Sequence, residues 1–245
     1  MPVESHPLFP PLPEEPLLWR YLDFAKFIAL LETSSLFFCR ADKLEDSWEG
    51  SIADLNSKAR ERMYSELPPT LRDSTSEMFS SMGLRLRKLT FICCWHASLH
   101  ESAAMWAHYS RGQNGIAIRT SYRRLSESLK RAPQSIYVGR VRYMDYSTDP
   151  VPTGFTFGPY LCKRSGFEHE QEVRAIIQQL TSLKAPVLET GDGISITIPL
   201  DVLVEAIFVA PTTPTWVLQT VQAIVARFGL NVEVRRSDLD RDPVY

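Results

Sequence analysis

The stretch from Lys163 to Ile177, KRSGFEHEQEVRAII, constrains this chain more than any other, because it sets acidic and apolar side chains in alternation. In an extended segment successive side chains leave opposite faces, so Glu168, Glu170, Glu172 and Arg174 share one face and Val173, Ala175 and Ile177 the other. On a helix the same residues would leave Glu170 and Arg174 four apart, an ordinary surface pair contributing roughly 0.2–0.5 kcal/mol. The apolar run Val173, Ala175, Ile176 and Ile177, interrupted soon afterwards between Thr181 and Pro186, favours the strand. Carboxylates two residues apart on a partly buried face raise one another's pKa, so the pattern demands a cation or a chemical task.

The remaining composition fits a globular chain. With 245 residues and 44% hydrophobic content there is ample apolar material for one large core. A net charge of −2 argues against a general polyanion binder. The four cysteines, Cys39, Cys93, Cys94 and Cys162, form no C-x-x-C pair and no small disulfide framework, which points to a reduced, cytoplasmic setting. Prolines at 7, 10, 11, 13 and 16 punctuate residues 1–16, which have neither a cationic start nor a continuous apolar core; the expectation is an extended arm, not a secretory leader, with no membrane partner.

Residues 17–245 read as a single α+β domain. LLWRY, Leu17 to Tyr21, is the first strand and carries Arg20. Asp23 caps a helix whose Phe24, Phe27, Ile28 and Leu31 recur on one face, and Leu36 to Cys39 returns as a strand. Trp48 lies between Asp46 and Glu49 in a polar loop with the character of a lid or a packed loop. Residues 51–89, charged and split by Pro68-Pro69, read as an inserted helical hairpin. Thr90 to Trp95 is apolar throughout and fits a central strand.

On the helix ESAAMWAHY, Met105, Trp106 and Tyr109 share a face that either fills the core or presents an aromatic surface. His96, His100, His108 and Cys94 match no zinc spacing, so no metal is assigned. Tyr143 and its neighbours alternate as a strand with a hitch at Gly139, and VPTGFTFGPY fits a flap-like loop. The last third gives strands at ISITIPL, VEAIFVAP and LNVEVRRS, with a helix from Pro214 to Phe228 between the last two.

Four blocks resemble a bacterial family catalogued as domain of unknown function 2971: LWRYLDFAKFIALLETSSLFF with KLEDSWEG, CWHASLHESAAMWAHYSRGQNGIAIR, KRSGFEHEQEVRAI, and VEAIFVAP continuing to VRRSDL. They cover most of the chain outside the arm and the 51–89 stretch. This sequence departs from the family at EDSWE, where members carry an asparagine-aspartate-proline turn, which puts a role for Asp46 or Glu49 in doubt. More distantly, the order of elements is similar to ADP-ribosyltransferase folds, which place a cation on the first strand and a glutamate, often as E-x-E, on a late one.

That resemblance implies a mixed, strongly twisted central sheet flanked by helices. It also implies an NAD-consuming transferase or glycohydrolase, of the kind found among bacterial toxins and defence effectors. Glu172 and Glu170 would be the catalytic acids. Arg20 would hold a diphosphate or ribose oxygen, Tyr109 or Trp106 would stack on nicotinamide, and Arg174 would complete the NAD site. The acceptor, macromolecular or small, is open. No counterpart to the central serine of those folds stands out beyond Ser98.

Two other classes fit the residues. In the first, Arg119, Arg123, Arg124, Lys130, Arg131, Arg140 and Arg142 form a basic surface for RNA or an acidic partner, and the glutamates only pair with Arg174 and Arg20. In the second, Glu170, Glu172 and an acid from the 42–49 loop hold magnesium for nucleic-acid hydrolysis.

Overall fold

The computed structural model describes residues 16–110, 114–180, 191–241 and 243; the proline-rich arm and the Thr181 to Pro186 interruption lie outside them. The elements follow one another as β1 (Leu17–Leu22), α1 (Phe24–Thr33), β2 (Ser35–Arg40), α2 (Asp54–Ser65), α3 (Pro69–Leu89), β3 (Thr90–Ala97) and α4 (Ala103–Ser110). Next come β4 (Ile116–Ser121), α5 (Tyr122–Ser128), β5 (Tyr137–Arg140), β6 (Arg142–Met144), β7 (Cys162–Arg164) and β8 (Glu172–Gln178). The chain closes with β9 (Gly193–Thr197), α6 (Leu200–Leu203), β10 (Ala206–Val209), α7 (Thr215–Arg227) and β11 (Glu233–Arg236).

The sheet is mixed and runs β11-β10-β4-β1-β3-β2-β9, with β8 on the far edge of β3 and β5 on β8. Its pairings are antiparallel except β10 with β11, which run parallel because α7 carries the chain back between them. The position of β3 explains its apolar sequence. β8 pairs with it from Thr90 to His96, while β1 and β2 both take the opposite edge. β1 meets Ala97 and His96, β2 meets Ile92 and Phe91, and residues 93–95 pair with neither. The sheet therefore splits over the middle of β3.

One face of the sheet carries the main core. Phe27, Leu31, Phe38, Trp95, Ile118 and Val221 are all buried in one cluster that takes in side chains from α1, α5 and α7. The local signals that build it are simple. Asp23 accepts a hydrogen bond from the Lys26 amide at the start of α1. Ser34 then ends that helix in the left-handed region, at φ 45°.

Residues 54–89 do form two helices. α2 buries none of its side chains and α3 only Leu89; the pair is joined by Tyr64 against Phe79, ring centres 6.2 Å apart, and by Arg60 over the Phe79 ring at 5.2 Å. Two expectations are corrected here. The interruption of the 137–144 strand falls at Val141, between β5 and β6, because the Val141 amide donates to the carbonyl of Glu172 while the next amide, Arg142, turns to Leu161. The 151–160 loop is no flap: Val151, Phe157 and Tyr160 are buried, and Phe157 packs on Tyr137 at 4.6 Å. Among the described residues no helix is long and apolar enough to cross a membrane.

Candidate active site

Strand register decides which side chains meet. Cys94 lies opposite Arg174 and His96 opposite Glu172, so these four share the sheet face away from the main core, as the alternation of Glu172 and Arg174 with Val173, Ala175 and Ile177 requires. Glu168 and Glu170 are not on that strand. Residues Ser165–Glu170 form a 3-10 turn, and Gln171 reverses the chain in the left-handed region at φ 40° before β8 begins. Two donors from β3 brace the reversal: the Ala97 amide to the Gln171 carbonyl at 2.9 Å, and His96 Nδ1 to the Glu170 carbonyl at 2.7 Å. The turn thereby brings the Glu170 carboxyl into hydrogen-bond contact with that of Glu172 by a route other than strand alternation.

Two cations and a third acid complete the cluster. Lys163 Nζ, from β7, donates to Glu170 Oε2 at 2.5 Å and Glu172 Oε1 at 3.2 Å, and lies 3.5 Å from Glu49 Oε1. Arg174 donates through Nε to Glu172 Oε2, through Nη1 and Nη2 to the two oxygens of Glu49 at 2.7 and 2.6 Å, and to the Tyr160 carbonyl at 2.9 Å. All five charged residues are buried, Arg174 completely.

Three carboxylates against two cations leave one excess negative charge if every group is ionised. The cluster settles it by dividing the acids. Burial, then the neighbouring Glu172, pushes Glu170 up to about 7. Burial also works on Glu172, but Arg174, the Glu170 carboxyl and Lys163 outweigh it and hold Glu172 well below the usual carboxylate range. Near neutral pH the pair thus holds one fixed anion and one group that exchanges a proton.

The cluster forms the floor of a cleft of about 430 Å³, at the split between β1 and β2. Arg20 also lines this cleft, but from the other side of the sheet. Next to Trp19, which lies opposite His96, it shares the main-core face with Leu18 and Leu22, and its guanidinium lies over the Trp95 ring. Its Nη1 donates to Cys93 Sγ at 2.7 Å and its Nη2 to the Phe37 carbonyl at 3.1 Å, so it bridges from β1 to β2 across the split. Tyr109, half-buried on α4, and Phe167 line the cleft, with Lys26 and Lys43 among its cations. Burial pushes the Tyr109 hydroxyl up, so it stays protonated.

Two expected site residues take other roles. Trp106 is 2% exposed and is not among the residues lining the cleft; it packs edge-on against Tyr21 at 4.9 Å and donates its Nε1 to Glu101. Arg174 lines the cleft, and its four hydrogen bonds go to Glu172, Glu49 and the Tyr160 carbonyl, so it organises the acids. Two further members of the cluster are Glu49, whose role the family resemblance put in doubt, and Lys163, which the sequence did not single out. Glu49 is 3% exposed and central, and its signal was Gly50: at φ 73°, with a Cβ that would fall 2.5 Å from the Tyr160 ring, only glycine lets the loop turn Glu49 inwards. Lys163 had no signal beyond its proximity to the acidic segment.

The alternative readings meet specific obstacles. Oxygens that a magnesium ion would need on Glu49, Glu170 and Glu172 are held by Lys163 and Arg174, and among the described residues no cluster of His, Cys, Asp or Glu fits a metal. Part of the proposed basic surface is engaged locally: Arg119 pairs with Glu205 at 2.7 Å and Lys130 with Glu127, while Arg124 keeps its charge but donates to the carbonyls of Asp201 and Val204.

No family model matches the chain, so domain of unknown function 2971 stays a resemblance, and no curated protein matches either. Among solved structures the chain is similar to DarT of Thermus sp. 2.9. The complex with NAD+ aligns at TM-score 0.45 and 9% identity over 95% of this chain and 100% of that one. The complex with carba-NAD+ aligns at 0.40 and 11% over 94% and 100%. The complex with ADP-ribosylated ssDNA aligns at 0.41 and 10% over 94% and 96%. At that similarity neither activity nor ligand passes from DarT to this chain.

Proposed function

We propose that the cleft binds NAD and breaks its nicotinamide–ribose bond, passing ADP-ribose to an acceptor or to water. What carries this reading is the divided carboxyl pair: Glu172 is buried, ionised and fixed at the cleft floor, and Glu170 lies against it with a pKa near neutrality. As nicotinamide departs with the bonding electron pair, the ribose C1′ and ring oxygen gain positive charge. A carboxylate already oriented by Lys163 and Arg174 stabilises that charge without reorganising. Glu170, held by Lys163 and Glu172, orients the ribose hydroxyls and the incoming group.

The rest of the cleft suits the same substrate. Its volume of about 430 Å³ lies within the range of small-molecule sites. Arg20 offers positive charge for a diphosphate, with Lys26 and Lys43, which pair with Asp23 and Asp192 at 3.2 and 3.5 Å, as further cations of the cleft, and Tyr109 and Phe167 offer rings for the nicotinamide. The acceptor, a macromolecule such as a nucleic acid or a small molecule, is part of the proposal and not fixed by these residues.

The test is nicotinamide release from NAD labelled in the nicotinamide ring. The wild-type chain should release label, and Glu172→Gln should lower kcat by about 10²-fold or more while melting as a folded protein. Absence of release together with absence of an NAD-dependent rise in Tm would overturn the reading.

A further inference from the structure

We infer that His96 is the proton acceptor for the incoming nucleophile, an inference that rests on the NAD-cleaving reading of the same cleft. His96 Nδ1 lies 2.7 Å from the main-chain oxygen of Glu170. A carbonyl only accepts, so this nitrogen carries the ring proton and the lone pair of the neutral ring sits on Nε2. His96 is 4% exposed and lines the cleft beside Glu170, Glu172 and Tyr109. No protein donor is seen at Nε2 among the described residues. A ring nitrogen on the wall of a cleft, with no donor from the protein, is a place for a donor from a ligand.

Of the neighbouring acids, Glu172 is not free to take a proton from a nucleophile, and the proton that Glu170 exchanges is shared with Glu172. Glu172 Oε1 accepts from Lys163 and Oε2 from Arg174, while Glu170 is shared between Lys163 and Glu172. Four side chains surround the imidazole. Tyr21 of β1 packs edge-on at 6.1 Å, Glu172 of β8 lies opposite in register, and the turn brings Glu170 and His169. Burial is the main influence, with His169 adding to it, and together they push the His96 pKa down against the hydrogen bond to Glu170. The residue is therefore a base at neutral pH.

The step balances as a displacement at C1′. The C1′–nitrogen bond breaks with its electron pair leaving on nicotinamide. The oxygen of water or of a hydroxyl acceptor bonds to C1′, and its proton passes to Nε2 and from there to solvent. The same His96 ring keeps Nδ1 on the Glu170 carbonyl throughout, so acid turn and base are held by one side chain.

Asparagine places an amide nitrogen near the Nδ1 position, so His96→Asn keeps a donor for the Glu170 carbonyl and deletes the base. With water as the acceptor, H96N should lower kcat by about 10²-fold and leave KM for NAD within about twofold of wild type. The wild-type rate should rise with pH through a limb below the ordinary imidazole value of 6.5, and that limb should be missing in H96N.

Nitrogen NMR of the full chain should place the ring proton on Nδ1. A proton on Nε2 overturns the proposal whatever the activity. If His96→Ala loses activity while H96N keeps the wild-type rate, His96 only positions Glu170 and the proposal fails. No nicotinamide release by the wild-type chain overturns the NAD reading and this step with it, whereas a wild-type rate in H96N beside an inactive E172Q overturns the role of His96 alone.

Discussion

Arg174 grips Glu49 through two parallel hydrogen bonds, 2.6 and 2.7 Å long, tying the loop after β2 to β8 across 125 residues of chain. Neither partner reaches solvent appreciably, at 0% and 3% exposure. Removing one member of such a pair strands the other charge in a medium that solvates it poorly. Glu49→Ala should therefore lower the free energy of unfolding by about 3–5 kcal/mol, measured by urea denaturation. Glu49→Gln, which keeps one acceptor oxygen, should cost less.

The divided acids predict a stability profile. Glu170 has a folded pKa of about 7 against an ordinary value of 4.5, so between those values the folded state holds a proton that the unfolded chain has released. Its contribution to stability is full below pH 4.5 and is lost as the pH rises towards 7. Glu172 has the opposite sign, contributing above its ordinary value and losing that contribution as the medium is acidified. Urea unfolding at pH 5 and pH 7.5 should show Glu170→Gln flattening the decline seen in the wild type over that interval.

Gly50 is the residue whose replacement should reach the acids from outside. A methyl group there would sit 2.5 Å from Tyr160 Cε1 on a backbone at φ 73°. Gly50→Ala should destabilise the fold by roughly 1–3 kcal/mol and lower nicotinamide release more than stability alone explains, because the loop that places Glu49 must shift. The combination of a thermal melt and a kcat measurement tests this.

The two aromatic residues of α4 should behave differently. Tyr109→Ala removes a ring from the cleft and should raise KM for NAD about 10-fold, the equivalent of about 1.4 kcal/mol, with a small change in Tm. Trp106→Phe removes the donor to Glu101 from a packed position, and should lower stability by about 1–3 kcal/mol while leaving KM unchanged. Equal KM effects from the two substitutions would refute the assignment.

Local patterns were legible where one element decides them. Asp23 before the apolar face of α1, the apolar run of β3, and the alternation from Glu172 to Ile177 each follow from periodicity and a capping residue. The acids Glu170 and Glu172 could be picked out from their spacing, although the geometry assumed for Glu170 was wrong, because no periodicity announces a 3-10 turn ended by a glutamine at positive φ. Lys163, and Glu49 apart from the hint of its neighbouring glycine, were hard to single out for another reason. Their importance comes from tertiary proximity, Glu49 lying 114 positions before Lys163 in the chain (163 − 49), and each taken alone resembles a surface charge. Trp106 and Tyr109 sit three apart on one helix, and only the packing of Tyr21 decides which of them is covered.

The divergence of β1 and β2 over β3 gives the trough an unusual mechanical property. Its two banks are laddered to different ends of β3, and the Arg20 side chain, bonded to Cys93 and Phe37, spans the gap that neither ladder closes. The Arg20 span is thus one of the members that set the width of the opening, and a shorter one, as in Arg20→Lys, should change the girth of molecule admitted without removing any rung of the sheet.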